Sequence, residues 1–337
     1  MGIETVPLGR TGLKVSRLAF GTWRFGRRLV DGEERYDVDG GLVETTEEEA
    51  CDLLDAYAEH GGNFIDTADK YGDGRSEEWI GNWLADRDRE DFVVATKIHR
   101  PRRPGDPNGE GLNRKHLRRQ IDVCLDRLGT DYIDLLYCHR WDDATPAEEF
   151  MRTLDGLVEA GKVNYLGISS GEPDAWKIVK ANEIAAREGY EPFTVTQPRY
   201  NLVDREIEAG YLEMCRDYRL GVVPWSPLAW GFLTGKYTRE SAGSEDSTAA
   251  ADGRFESNYL TEGNFEVLDT VRGIAEAVGA TPAQVALAYH LHHPDVTAPI
   301  VGASSVDQLE ENLGADDVSL TDDQFERLRA AKTASLY

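Results

Sequence analysis

Lysine is scarce in this chain: it supplies nine of the 37 basic residues, against 62 aspartates and glutamates, for a net charge of −25. That balance excludes nucleic acid and an anionic membrane surface as partners, since both require clustered cations to neutralise phosphate. No run of about 18 apolar residues occurs, the length a membrane helix needs. The first ten residues, Met1 to Arg10, lack the apolar stretch of a signal peptide, so a soluble cytoplasmic protein is expected. The four cysteines (Cys51, Cys124, Cys138 and Cys215) form no CxxC pair, and Cys138 lies inside an apolar run. Buried free thiols fit this pattern better than disulfides or a zinc site.

The acidic excess is spread along the chain, and its densest stretches (47–49, 316–317 and 321–326) are helix starts. Spread acidity with little lysine is the solvated surface expected of a protein from a high-salt, halophilic cytoplasm. An acidic face for a basic partner needs one localised block.

Eight short apolar runs recur, at 17–21, 63–67, 92–97, 133–139, 165–169, 194–197, 221–225 and 298–302. They are rich in β-branched and aromatic residues, as strands of a parallel sheet are when helices cover both faces. Helical segments separate most of them. Thr46 before three glutamates opens 47–60, and Ser76 opens 77–86. Asn113 opens a segment that Gly129 ends, Thr145-Pro146 one that stops at Gly161, and Thr281-Pro282 one that stops before Pro294. Strand–helix alternation of this length predicts an α/β protein with a (β/α)8 TIM-barrel fold, formed by residues 1–337 as a single domain. A doubly wound sheet is the competing fold. Residues 3–15 predict a small hairpin under the barrel floor. Two intervals, 27–45 and 237–264, are too long for plain connections; they predict lids or substrate walls on the catalytic face, or surface insertions.

Several reactive side chains fall at the carboxyl ends of the predicted strands: Asp66, Lys97 and His139, with Tyr71 in the loop five residues past Asp66. Each alone has an ordinary structural reading as cap, strand end, core histidine or loop anchor. Together, at successive strand ends, they point to one pocket. Their chemistry suits carbonyl reduction. Hydride addition to C=O builds negative charge on oxygen, which must be protonated. A phenol near pKa 10 is poised for that only if an ammonium stands beside it, and a carboxylate keeps the ammonium charged. Tyr71, Lys97 and Asp66 match those roles, and a neutral His139 would orient the carbonyl oxygen.

The stretches NFIDTADKYG (63–72), VVATKI (93–98), YIDLLYCHRWD (132–142) and GKVNYLGISS (161–170) resemble the signature blocks of the aldo-keto reductase superfamily. So do VTQPRYN (195–201), VVPWSPLAWGFLTGKY (222–237) and GASSVDQLEENLGA (302–315), in unbroken order. The resemblance implies a (β/α)8 barrel with a nicotinamide dinucleotide across its top. No GxGxxG or Walker pattern occurs, in keeping with a dinucleotide site that needs neither. The family's catalytic tetrad maps onto Asp66, Tyr71, Lys97 and His139. The resemblance further implies that Ser169 and Gln197 hold the nicotinamide carboxamide and that Trp225 stacks on the ring. Ser226, Leu228, Gly231 and Lys236 would follow the pyrophosphate; Gly302, Ser304, Gln308, Glu311 and Asn312 would cradle the adenosine end.

Two departures bear on the cofactor. Many members have asparagine where this chain has Ser170, and arginine where it has Ser304, which weakens a 2′-phosphate contact. Trp225, Ser304 and Gln308 together resemble the branch that contains bacterial and archaeal reductases and potassium-channel β subunits, in which an arginine after strand seven helps; Arg254 matches it. NADP(H) is therefore expected over NAD(H). Trp23 and Trp141, just past the first and fourth strands, are expected at the substrate pocket or as surface packing. His290, His292 and His293 sit at a helix end, where such side chains are favoured without a metal, so none is expected. The expected activity is reversible, NADP(H)-dependent reduction of an aldehyde or ketone, with a nucleotide-binding regulatory subunit of little turnover as the alternative. A barrel isomerase or lyase of phosphorylated sugars is disfavoured by the lack of a glycine-rich phosphate loop after strands seven and eight. The natural substrate and oligomeric state are not legible.

Overall fold

The computed structural model describes residues 2–30, 33–34, 42–100, 105–171, 174–240 and 258–331. Strands β1 (Thr5–Pro7) and β2 (Lys14–Ser16) pair as an antiparallel hairpin. Strand β3 (Ala19–Gly21) opens the main sheet, and β4 (Arg28–Val30), β5 (Glu33–Glu34) and β6 (Leu42–Val43) make a small antiparallel sheet. The main sheet continues with β7 (Phe64–Asp66), β8 (Val93–Ile98), β9 (Ile133–Cys138), β10 (Val163–Ile168), β11 (Phe193–Thr196), β12 (Gly221–Val222) and β13 (Ile300–Val301). Its eight strands are parallel, in the order β12-β11-β10-β9-β8-β7-β3-β13. The two ends of that order meet: Thr297 N–H donates to the Val222 carbonyl (2.8 Å) and Ile300 N–H to the Pro224 carbonyl (2.9 Å). The sheet thus curls into the expected barrel.

The helices are α1 (Glu47–Glu59), α2 (Arg75–Leu84), α3 (Arg114–Leu128), α4 (Ala147–Glu159), α5 (Ala175–Glu188), α6 (Tyr211–Tyr218), α7 (Glu262–Val278), α8 (Pro282–His292), α9 (Val306–Leu313) and α10 (Asp322–Ala330). Their ends follow local chemistry. Thr46 and Glu49 close a capping box on α1, as do Thr281 and Gln284 on α8. Asn113 caps α3, which ends at left-handed Gly129. Ser76 is not the cap expected of it: α2 begins at Arg75, and Ser76 lies inside, its hydroxyl bonded to Thr22 (2.7 Å) and Thr67 (2.8 Å). The interval 27–45 is not a plain loop, because its described parts form the β4–β6 sheet. Residues 241–257 of the second long interval lie outside the described residues.

Side chains of both faces of β8 and β9 are buried, which explains their unbroken apolar sequences. Inside the barrel, Phe64, Val93, Ala95, Leu135, Tyr137, Val195, Val223 and Ile300 pack with Leu8 and Val15 of the hairpin. The hairpin therefore plugs the floor, and reactive groups are left to the opposite end. Among the described residues no helix is long and apolar enough to cross a membrane.

The plug depends on Gly9. Its φ is +55°, and a Cβ there would overlap Gly221 N and stand 2.7 Å from the Thr194 carbonyl. Gly9→Ala is expected to destabilise the fold by about 2 kcal/mol, read as a lower urea midpoint; an unchanged midpoint would show that the hairpin is free to shift.

Candidate active site and nucleotide groove

The parallel register sets the height of each reactive side chain. Asp66 aligns with Gly21 and Ala95, Lys97 with Tyr137, and Ile98 with Cys138. Backbone bonds then climb strand by strand: His139 N–H to Ile98 (3.0 Å), Ser169 N–H to Cys138 (2.8 Å) and Gln197 N–H to Ile168 (2.9 Å). Asp66, Lys97, His139, Ser169 and Gln197 consequently share the carboxyl rim. Tyr71 comes from a tight turn after β7, with left-handed backbone at Gly72, Asp73 and Gly74. A Cβ on Gly72 would overlap the Phe25 carbonyl, so only glycine lets the turn approach β3's end this closely.

The four expected catalytic side chains meet. Buried Lys97 Nζ donates to Asp66 Oδ1 (2.5 Å), to the Thr67 carbonyl (2.8 Å) and to the Tyr71 hydroxyl (3.3 Å). Gln197 Nε2 donates to the other Asp66 oxygen (2.7 Å). The half-buried Tyr71 and His139 rings meet edge-on, with centroids 6.0 Å apart.

Electrostatics follow from burial. Desolvation pulls the Lys97 ammonium down, but Asp66 and Tyr71 more than offset it, and the group is held above the ordinary lysine value. It stays charged. Desolvation raises the Asp66 carboxyl, against Lys97 and Gln197. The Tyr71 phenol lies above its ordinary value, not below it as the lysine alone implies: desolvation pushes it up further than Lys97 pulls it back. The site therefore holds Tyr71 protonated. Desolvation, then Lys97 and Arg100, drive His139 well below the ordinary imidazole value, so it is neutral. Its Nδ1 is buried and has no hydrogen-bond partner among the described residues.

The groove beside the tetrad has features that suit a nucleotide. Ser169 Oγ donates to the Gln197 carbonyl (3.0 Å), next to Asp66. Trp225 is half-buried at the end of β12, packed against the barrel's inner cluster. Beyond it the backbone is left-handed at Ser226, Ala229 and Trp230, none of them glycine, and at Gly231. Such strain concentrates at binding loops. Lys236, exposed, reaches back within 3.2 Å of where a Gly231 Cβ would stand. At Gly302 a Cβ would meet, among the described residues, only the Gly21 carbonyl, at 3.6 Å. Ser304 and Gln308 bond to each other through Ser304 N (2.7 Å) and Oγ (3.0 Å). Asn312 Nδ2 donates to the Gly302 carbonyl (3.4 Å), and Glu311 is exposed beside it. Helix α9 begins after Ser305, which caps it. Arg254 lies outside the described residues.

Trp23 stands edge-on to Trp230 (5.3 Å between centroids), with the Arg27 guanidinium 3.9 Å over its ring. Trp141 packs edge-on against Phe150 of α4 (5.1 Å) and is half-buried. Trp230, 45% exposed in a left-handed conformation, was not legible from sequence. Neither was Asn201, whose amide donates to the Ser226 carbonyl (3.0 Å) and to Asp204 (2.9 Å), holding the strained loop. No spacing signal marks either residue. Among the described residues no group of metal-ligating side chains stands together. His290 is buried against Tyr200, and His292 accepts from Leu320 N–H (3.3 Å).

The model of the "Aldo/keto reductase family" matches residues 17–333. A norsolorinic acid reductase of Emericella nidulans is 35% identical over 96% of this chain and 80% of its own. A probable voltage-gated potassium channel subunit beta of Arabidopsis thaliana is 38% identical over 92% of this chain and 90% of its own. An uncharacterized oxidoreductase of Bacillus subtilis is 36% identical over 94% and 92%.

Buried imidazoles make the fold sensitive to acid. Desolvation takes His290 down to about 3, with His139 shifted the same way. The unfolded chain binds these protons near pH 6.5, so stability is present above that value and lost as pH falls below it. Between pH 7 and 5, His290→Gln is expected to lose about 2 kcal/mol less stability than the parent. Identical pH slopes in thermal unfolding would mean that His290 is protonated in the folded state.

Proposed function

The chain belongs to the aldo/keto reductase family and is an NADP(H)-dependent oxidoreductase of aldehydes or ketones, and we propose that Tyr71 supplies the proton. The observation that carries this reading is the Lys97 ammonium, bound at once to Asp66 and to the Tyr71 hydroxyl. A substrate carbonyl oxygen seated between Tyr71 and His139 meets two donors, the phenol and a neutral imidazole N–H. NADPH, when bound, supplies the hydride. As charge builds on oxygen, Tyr71 gives its proton, and the adjacent ammonium stabilises the phenolate left behind. Asp66 keeps that ammonium charged and aimed. In the reverse direction the phenolate takes the proton from an alcohol.

The cofactor is held in this reading by Ser169 and Gln197 at the carboxamide and by Trp225 against the ring. Ser226, Leu228, Gly231 and Lys236 follow the pyrophosphate, while Gly302, Ser304, Gln308, Glu311 and Asn312 take the adenosine end, with Arg254 at the 2′-phosphate. Trp23 and Trp141 wall the substrate pocket, joined by Trp230. We read the chain as one domain, working in a salty cytoplasm for which its spread acidity is suited. The likeness to channel β subunits supports a second reading, a nucleotide-bound regulator that completes one turnover and then waits.

The test follows NADPH and NADH absorbance with a panel of aldehydes and ketones in molar KCl. Tyr71→Phe is expected to lower kcat by about 10² to 10⁴; full activity in that variant sinks the assignment. A burst of one equivalent followed by near-zero turnover selects the regulator. Separately, NADPH should quench fluorescence in the parent much more than in Trp225→Phe, and equal quenching removes the stacking role.

A further inference from the structure

Behind the tetrad lies a second ion pair, a buried carboxylate held by a half-buried guanidinium, that the reaction as described does not use. Glu77, on the first turn of α2, has no exposed surface. Its Oε1 accepts from the Thr96 hydroxyl (2.6 Å), the residue before Lys97 on β8. Its Oε2 accepts from Arg127 Nη1 (3.1 Å), near the end of α3. The same Arg127 nitrogen donates to the Asp69 carbonyl (3.2 Å), two residues before Tyr71. On the far side of the turn, a Cβ on Gly74 would overlap the Arg127 guanidinium, so the planar group lies flat under the left-handed backbone that follows Tyr71. Arg127 also stands 3.8 Å from the exposed Glu78.

The pair therefore touches both sides of one hydrogen bond. Thr96 carries the strand position next to Lys97, while Asp69 and Gly74 bracket Tyr71. We propose that Glu77 and Arg127 are positioning residues that set the separation of the Tyr71 hydroxyl from the Lys97 ammonium. The proposal rests on Tyr71 being the proton donor. That separation, 3.3 Å, is already long for a hydrogen bond, so small displacements of the turn weaken it steeply. A buried pair is an expensive way to stabilise a fold, because apolar residues of similar volume do as well, whereas two charges with fixed hydrogen bonds specify one geometry. The guanidinium fork suits this role, because it grips a carboxylate and a carbonyl from one rigid plane.

The readout is the alkaline limb of the kcat profile, where Tyr71 loses its proton. The groups that face this phenol are Lys97 and Arg100, which lower its pKa, Asp66, which raises it, and the neutral His139. Glu77 is faced by Arg127, Thr96 and the buried Cys124 thiol. Moving Tyr71 away from Lys97 removes the strongest lowering influence, so the limb moves to higher pH. Glu77→Gln and Arg127→Met are each expected to cut kcat about tenfold, with the Kd for NADPH changed less than twofold and the limb displaced upward. Arg127→Met leaves the buried Glu77 carboxylate unpaired and Glu77→Gln removes the stronger partner of Arg127, so both are expected to unfold at lower temperature, and two further variants separate position from stability. Thr96→Val keeps the ion pair and removes only its tie to β8; it should show the same displacement in milder form. Glu77→Gln/Arg127→Met removes both charges, and its thermal midpoint should return toward the parent while kcat stays low and the limb stays displaced.

Recovery of kcat and of the limb together with the midpoint in the double variant overturns the proposal, since the pair then only stabilises. An unmoved limb in Thr96→Val and in the double variant overturns it too. Tyr71→Phe separates this from the reading beneath it. If the limb persists without the phenol, Tyr71 is not its source and the proton-donor assignment fails. If the limb vanishes in Tyr71→Phe yet stays put in the other variants, only the positioning role fails.

Discussion

One ammonium buried at the rim of the barrel organises the candidate active site. Lys97 carries no exposed surface, and an isolated charge there would be too costly to keep. It survives because three oxygens surround it: a carboxylate from β7, a carbonyl from the residue after that strand and a phenol from the next turn. Each of those partners needs its own support. Gln197 occupies the second oxygen of Asp66, from the far side of the barrel. The Tyr71 turn rests on Gly72's closeness to Phe25, on the hydroxyl chain through Thr22, Ser76 and Thr67, and on Arg127. A buried charge thus sets requirements several residues deep.

The same burial divides protonation states between neighbours. Desolvation opposes charge wherever it acts, so it raises the phenol and lowers the imidazole. Both are left neutral and able to donate. The lysine keeps its charge, because its partners outweigh the loss of water. Two neutral donors beside one fixed cation is an arrangement that receives a developing oxyanion, and its parts come from one physical cause acting on different side chains. The loop beside the tetrad shows a related economy: three residues other than glycine are held left-handed after β12, and an asparagine on the preceding strand's loop holds the first of them.

Much of the fold was legible locally. Apolar runs of strand length, caps such as Thr46, Asn113 and Thr281, and stops such as Gly129 each report a preference that a few adjacent residues settle among themselves. The alternation of strand and helix then leaves few ways to bury both faces of a parallel sheet. Asp66, Lys97 and His139 were visible because a strand end has a definite direction, and Tyr71 because it follows one closely. The hairpin floor was visible for similar reasons. Where local reasoning failed, a distant contact had intervened. Ser76 looks like a cap but is drawn inward by Thr22 and Thr67.

The sequence by itself determined the architecture, the rim that carries the candidate site and the residue types at its centre, because periodicity and capping are short-range. Only the tertiary structure decided the protonation of Tyr71, the pairing of Gln197 with Asp66, the Trp23–Trp230 contact and the Glu77–Arg127 tie. Each of these joins segments separated by tens to more than a hundred residues, and each depends on how completely water is excluded where they meet. Burial is a property of the closed barrel, and no stretch of chain carries it alone.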